Sequence, residues 1–136
     1  MHATTQYAAP VGRILISLIF IVSGLNKITT YAGTQEFMNS MEVPGVLLPL
    51  VILLEVVGGL MVLVGWQTRW AALALAVFCI LSAFLFHMDF ANQIQFIMFM
   101  KNIAIAGGFL FLVAHGAGAL SFDQRRQSPA MTANVA

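Results

Sequence analysis

The amino-acid sequence predicts an all-α fold: a polytopic membrane protein built as a four-transmembrane-helix bundle, with a short amphipathic helix in the first outer loop. Two observations carry that prediction. Of 136 residues, 60% are hydrophobic and only 8% are charged, against roughly 25% charged in an ordinary soluble domain. A soluble domain of this size has too much surface for so few charges to cover. The apolar residues are also gathered into four runs, each near the roughly 20 residues that cross a hydrocarbon core of about 30 Å. A soluble enzyme, a secreted disulfide scaffold and a disordered chain are excluded together.

The first run covers about residues 11–25. Near its start, Arg13 precedes a short apolar core, as a basic residue precedes the core of a secretory signal. No Ala-x-Ala-like site follows Leu25, however, and Lys27 stands where one would be, so the run is read as an uncleaved first helix. In the polar stretch that follows, Phe37, Met38 and Met41 stand at spacings of one, three and four residues. That spacing gives a short amphipathic helix, lying at the headgroup boundary or capping the bundle, which Pro44 stops.

The second span covers about residues 46–66 and the third about 70–86, joined by a link so short that they must form a helical hairpin. A small polar turn leads to the fourth span, about residues 95–113. Residues 1–126 make one membrane domain, and residues 127–136 are expected to be a disordered tail, having no apolar run able to fold alone.

Charge and cysteine content narrow the chemistry. The six Lys and Arg are spread along the chain, with only Arg125 and Arg126 adjacent, and the net charge is +1, so the basic face that a nucleic acid needs is missing and no nucleic-acid partner is expected. One cysteine, Cys79, forms no intramolecular disulfide, redox pair or cysteine-rich zinc site. It falls in a small-residue seam with Ala72, Ala76 and Ala83, where it fills the core. The histidines lie in the N-terminal tail (His2), at the outer surface (His87) and at the inner surface (His115). No two can share one iron, so neither a bis-histidine haem nor a metal site is expected. His87 with Asp89 could form an orienting pair or proton relay at the outer surface.

The informative residues are ionisable groups at bilayer depth, which cost about 3 kcal/mol on insertion scales and face a protein interior or a wet cavity. Glu55 lies ten residues after Gly45, near mid-membrane at about 1.5 Å rise per residue. Gly58 and Gly59 share its face and invite close approach of a neighbouring helix. Lys101, followed by Asn102, lies at nearly the same depth on the fourth span. An ion pair between Glu55 and Lys101 is therefore expected, with Gly107 and Gly108 meeting the glycines of the second span. On the first span Arg13, Ser17, Phe20, Gly24 and Lys27 form one polar, small and aromatic stripe that should pack on protein. Snorkelling from the two ends would by itself account for Arg13 and Lys27.

The order of these motifs resembles the DoxX family of small four-helix bacterial inner-membrane proteins. The resemblance rests on Gly12-Arg13, Ser23-Gly24-Leu25-Asn26-Lys27, Glu55-Val56-Val57-Gly58-Gly59, Gly65-Trp66-Gln67-Thr68-Arg69, Lys101-Asn102 with Gly107-Gly108, and the closing Gly116 to Asp123. It covers about residues 11–126. It implies a plasma-membrane protein, in a family where some members are subunits or partners of quinone-linked oxidoreductases and oxidative-stress enzymes. Relatives with adjacent histidines before the third loop differ from this chain, where Phe86-His87 supplies one.

Two functional classes follow. In the first, the chain is a membrane subunit or accessory of a redox system. Glu55, Lys101, Asn102, Lys27 and His87 then line the outer half of the bundle around a quinone-like head group, covered by Phe20, Phe96, Met98 and Met100, with Arg13 completing the buried polar set. In the second, it is a non-enzymatic small-solute or proton pathway, or a membrane helper protein. No nucleophile with its base and no phosphate loop is present, so any chemistry needs a bound cofactor or a membrane or soluble redox partner. A leftover helix face could pair with a second copy of the chain as a homo-oligomer.

Basic residues are retained on the cytoplasmic side. Arg13, Arg69, Arg125 and Arg126 fall on one side and Lys27 alone on the other, beside Glu36, Glu42 and Asp89, which places both termini in the cytoplasm. A reporter fused at residue 130 is expected to stay cytoplasmic, and an exported signal there would reverse this topology.

Overall fold

The computed structural model describes residues 2–132, which form six α-helices and a 3-10 turn. In order they are α1 (His2–Thr29), α2 (Tyr31–Ser40), the turn Gly45–Leu47, α3 (Leu48–Val64), α4 (Thr68–Phe86), α5 (Gln93–His115) and α6 (Phe122–Thr132). Four of the helical stretches are long and apolar enough to cross a membrane: Ala3–Thr29, Gly45–Val64, Thr68–Phe86 and Gln93–His115. The four expected spans lie within or across these, and the first is longer than the apolar run alone because polar residues before Pro10 continue the helix. Helix α6 extends through Thr132, so residues 127–132 of the expected disordered tail are helical. Residues 133–136 of that tail lie outside the described residues.

Helices α1 and α3 pack as one pair and α4 and α5 as another, with α3 against α4 joining them. Close approach of α1 to α3 depends on Gly24: a Cβ there would stand 2.6 Å from Val56 Cγ2 and 3.1 Å from Glu55 Cβ. On α4 the expected seam of Ala72, Ala76, Cys79 and Ala83 is buried throughout, together with Ala71 and Leu75. Phe20 of α1 and Phe109 of α5 meet at 5.3 Å between ring centroids and close the core beside Val62 and Leu75. Large apolar side chains cover the outer faces of all four long helices, as a surface in contact with lipid tails requires.

The glycine pairs do not meet as expected. Gly59 faces Ile21 and Ser17 of α1, Gly58 faces Leu75 of α4, Gly108 faces Ile16 of α1, and nothing lies within 4 Å of a Cβ at Gly107. The reason is the helix pairing itself, which sets α3 beside α1 and α4 and not beside α5.

The loop helix α2 covers the end of the bundle. Met38 is buried, Phe37 stacks on Phe86 of α4 at 5.6 Å, and Phe37 and Met41 keep exposed edges. Asn39 Oδ1 accepts from Gly45 N at 2.8 Å and Gln35 Nε2 donates to Gly45 O at 3.2 Å, which ties α2 to the entry of α3.

At the opposite end a polar latch joins α1, the α3–α4 hairpin and the segment before α6. Gly65 terminates α3 at φ 75°, a conformation glycine adopts without steric cost. A Cβ there would also collide with Arg13 Nη1 and Ser121 Cβ. The Arg13 guanidinium, 2% exposed, donates to Val62 O (3.4 Å), Leu63 O (3.2 Å) and Leu120 O (2.9 Å). It thus satisfies the last carbonyls of α3 and sets a positive charge against that helix's negative end. Arg13 is therefore a buried tie and does not snorkel.

Across the hairpin, Asp123 caps α4 from outside the helix. Its Oδ1 accepts from Gln67 N at 2.8 Å, while Oδ2 accepts from Thr68 N at 3.0 Å and Thr68 Oγ1 at 2.7 Å. Partial burial raises the Asp123 pKa, but the hydrogen bonds from Thr68 and Gln67, with Arg126 nearby, outweigh it and hold the carboxyl below its ordinary value. The unfolded carboxyl titrates near about 4 and the folded one lower. The latch's contribution is therefore fully present above about pH 4 and is lost as pH falls through the folded value. Thermal melts in detergent between roughly pH 7 and pH 3 are expected to show this acid-side loss, and Asp123→Asn should lower the neutral melting temperature and flatten the pH dependence.

Candidate functional site

Helix α1 places Ser23 and Lys27 one turn apart on one face, because residues four apart are neighbours on a helix. The same face carries Arg13, Ser17, Phe20 and Gly24, all buried, so the expected protein-facing stripe is present along its length. At Gly24 the backbone of α1 comes close to Glu55 of α3, and the Lys27 side chain reaches the carboxylate. Lys27 Nζ lies 3.0 Å from Glu55 Oε2 and 3.1 Å from Oε1, and donates to Ser23 Oγ at 2.7 Å. Ser23 Oγ in turn donates to Glu55 Oε1 at 3.5 Å. Glu55 is 3% exposed, so this cation meets the need of a carboxylate held in apolar surroundings.

The expected partner was different. Lys101 forms no ion pair with Glu55, and among the described residues it has no hydrogen-bond acceptor. Both cations line one cavity, but they come to it from different helix pairs: α1 packs on α3, whereas α5 packs on α4. Lys101 instead lines the far side of a cavity of about 210 Å³ whose near side holds Glu55, Lys27 and Ser23. Asn102 stands beside it on α5 and donates from Nδ2 to Met98 O one turn back, at 3.1 Å.

His87 reaches the same cavity from the end of α4. Its Nδ1 is 2.7 Å from Gln95 Oε1, so its orienting partner is Gln95 of α5 and not Asp89. The turn from α4 to α5 brings Gln95 back over His87, a contact that the spacing of His87 and Asp89 does not reveal. Phe20, Phe78, Met98, Ile19 and Ile105 supply the apolar walls, with Ser82 adding a hydroxyl. Of the aromatic and methionine residues expected to cover a ring, Phe20 and Met98 line the cavity. Phe96 packs edge-on against Phe90 at 5.8 Å, and Met100 is exposed.

Five of the six expected site residues thus come together around one space: Glu55, Lys27, Lys101, Asn102 and His87. Arg13 does not, because it serves the latch at the other end. Sequence reasoning missed Ser23 and Ser82 as cavity hydroxyls and Gln95 as the partner of His87. Only Ser23 carried a signal, standing four residues before Lys27.

The site can hold a neutral or weakly negative polar group. Its lining brings together a carboxylate matched by its own cation, an ammonium with no anion among the described residues, an amide, the His87 ring and the Ser82 hydroxyl, with apolar side chains between them. Breaking a buried pair leaves its other member uncompensated, so Glu55→Gln and Lys27→Met should each destabilise by about 2 kcal/mol or more. The double variant should recover most of that loss. In a thermal-melt double-mutant cycle, Glu55 and Lys27 are expected to couple strongly and Glu55 and Lys101 weakly; the reverse order would refute the pairing.

Comparison with known proteins agrees with this architecture. The family model described as DoxX matches residues 8–88. The chain is 55% identical over 114 residues to the inner membrane protein YqjF of Escherichia coli (strain K12), covering 84% of this chain and 88% of that protein. It is 33% identical over 122 residues to the inner membrane protein YphA of the same strain, covering 85% and 87%. A partial similarity, 33% over 57 residues and 42% of each chain, links it to CatD of Bacillus subtilis (strain 168), which is provisionally named an oxidoreductase. No solved structure matches the chain. With four apolar helices and inner-membrane relatives over most of its length, the protein is a multi-pass protein of the bacterial inner membrane, and it belongs to the DoxX family.

Proposed function

We propose that the protein is a membrane subunit or accessory of a quinone-linked redox or oxidative-stress system, and that the cavity between Glu55 and Lys101 receives the quinone head group. The observation that carries this reading is that Lys101, an exposed ammonium with no anion among the described residues, lines the same cavity as the Lys27–Glu55 ion pair, together with apolar side chains. Carbonyl oxygens are acceptors only, so they suit a site whose free groups are donors. Lys101 Nζ is such a donor, and the Asn102 amide keeps a second N–H beyond the one given to Met98 O.

Size supports a head group and not a whole molecule. At about 210 Å³ the space is smaller than the roughly 300–1,000 Å³ of pockets that enclose drug-sized ligands, so an isoprenoid tail would run out between the helices into lipid. A quinone, when bound, supplies two-electron chemistry that needs an electron source. The partial likeness to a provisional oxidoreductase fits a protein working beside such a source. What this chain's residues do is orient the carbonyls from Lys101 and Asn102, exclude water with Phe20, Phe78 and Met98, and keep the Glu55 carboxylate with its polar companions within the same cavity for proton handling.

A polar pathway through the bundle is disfavoured by the packing. Phe20, Val62, Leu75 and Phe109 fill the middle, between the cavity and the Arg13 latch.

Protein purified from its native membrane in a mild detergent is expected to yield co-extracted quinone. Lys101→Met should reduce the yield by about tenfold, since a hydrogen bond to a charged group contributes about 1.5–3 kcal/mol. Quinone no higher than in an unrelated four-helix membrane protein, or undiminished in the Lys101→Met variant, would overturn the reading.

A further inference from the structure

At the end of the bundle that holds the latch there is a second cavity, of about 430 Å³, between the start of α4, the end of α5 and the start of α6. Arg69, Arg126 and His115 line it, with Trp70 at its edge. Asp123 is the carboxylate among its lining residues, and its two oxygens are already engaged by Gln67 N, Thr68 N and Thr68 Oγ1. Arg69 has no hydrogen bond and no ion pair among the described residues. Its guanidinium lies over the Gly116 backbone, where a Cβ would stand 3.3 Å from Nε and 3.5 Å from Nη2. Arg126 is attracted to Asp123 electrostatically but does not hydrogen-bond it. Among the described residues, two guanidinium groups therefore line one space with no hydrogen-bond acceptor of their own.

The position of the cavity identifies the source of its ligand. Arg69 is the second residue of α4 and His115 the last of α5, so the cavity sits where two membrane spans end. Trp70, 72% exposed, stands beside Arg69, and tryptophan concentrates at the headgroup level of a bilayer. A planar guanidinium fork matches the oxygens of a phosphate, and basic pockets between spans at this depth suit lipid head groups.

We propose that Arg69 and Arg126, with His115 at the rim, form a binding site for the phosphodiester head group of an anionic phospholipid. The acyl chains of that lipid lie along the apolar faces of α4 and α5, so the lipid seats the bundle end in one leaflet. This site is separate from the quinone cavity and stands or falls independently of it.

The test uses the full-length protein in a mild detergent, titrated with dioleoyl phosphatidylglycerol or dioleoyl phosphatidylcholine and read by native mass spectrometry. Phosphatidylglycerol should be retained in preference to phosphatidylcholine. Each arginine near a membrane surface contributes enough that Arg69→Gln or Arg126→Gln should weaken that preference roughly fivefold. Because the Arg69 side chain makes no hydrogen bond or ion pair among the described residues, its single variant stays folded and keeps the test decisive if the double variant does not. Arg125→Gln removes the same charge from the same end but should leave the preference intact, since that guanidinium lies over the Phe122 ring at 5.9 Å and does not line the cavity. Equal retention of the two lipids, an Arg69→Gln variant with unchanged preference, or complete displacement by inorganic phosphate at the same concentration as the lipid would each overturn the proposal, the last by assigning the site to a soluble anion.

Discussion

A carboxylate within an apolar span persists only where a cation can reach it, and at Glu55 that requirement falls on the first helix. The consequences run through the fold. For Lys27 to meet Glu55 at 3.0 Å, α1 and α3 must approach closely, and the absence of a side chain at Gly24 permits it. That approach turns the rest of the α1 stripe inward, so Ser17 and Phe20 enter the core and Arg13 is delivered to the end of α3. Because Lys27 is 25% exposed, the pair is not sealed on all sides. It forms a wall of the cavity, and the second cation, Lys101, is left on the opposite wall with its charge unmatched.

The two ends of the bundle use their charges differently. At the latch, Arg13 and Asp123 are directed at backbone: the guanidinium at the last carbonyls of α3, the carboxylate at the first N–H groups of α4. Each sits at the helix end whose partial charge is opposite to its own. A hairpin as short as Gly65 to Gln67 cannot cap both helices with its own side chains, and Gln67 makes no such bond. The caps must therefore come from α1 and from the segment after α5. Around Glu55 the charges are directed at side chains and at open space, and groups not committed to backbone are those available to a ligand.

Most of the fold was legible because the bilayer imposes it: span length, the small-residue seam of α4 and the amphipathic loop helix all follow from one-dimensional pattern. Five of the six expected site residues also surround one cavity. What the pattern could not supply was azimuth. Sequence spacing put Lys101 at the level of Glu55 and Lys27 at a span end, but which cation reaches the carboxylate depends on which helices are neighbours, a property of packing that no periodicity records. The exchange of Asp89 for Gln95 beside His87 has the same origin, a turn that folds back. Asp123 stands in the closing motif with no role that spacing assigns, because capping in trans across a hairpin leaves no spacing rule to read.

The cavity near Glu55 is a seam between two tightly packed helix pairs. Ser23, Lys27 and Glu55 come from the α1–α3 pair, while Phe78, Ser82, Lys101 and Asn102 come from the α4–α5 pair. Within each pair the contacts are extensive, and the pairs are joined mainly through α3 against α4 and through the Phe20–Phe109 contact. A ligand in that seam would touch both pairs at once, and anything that binds only the assembled state stabilises it by mass action. Occupancy and the seating of the two pairs are therefore linked. Lys101 gives the linkage its sign: as a donor lining the seam it would favour an acceptor there, whereas a second cation would be repelled.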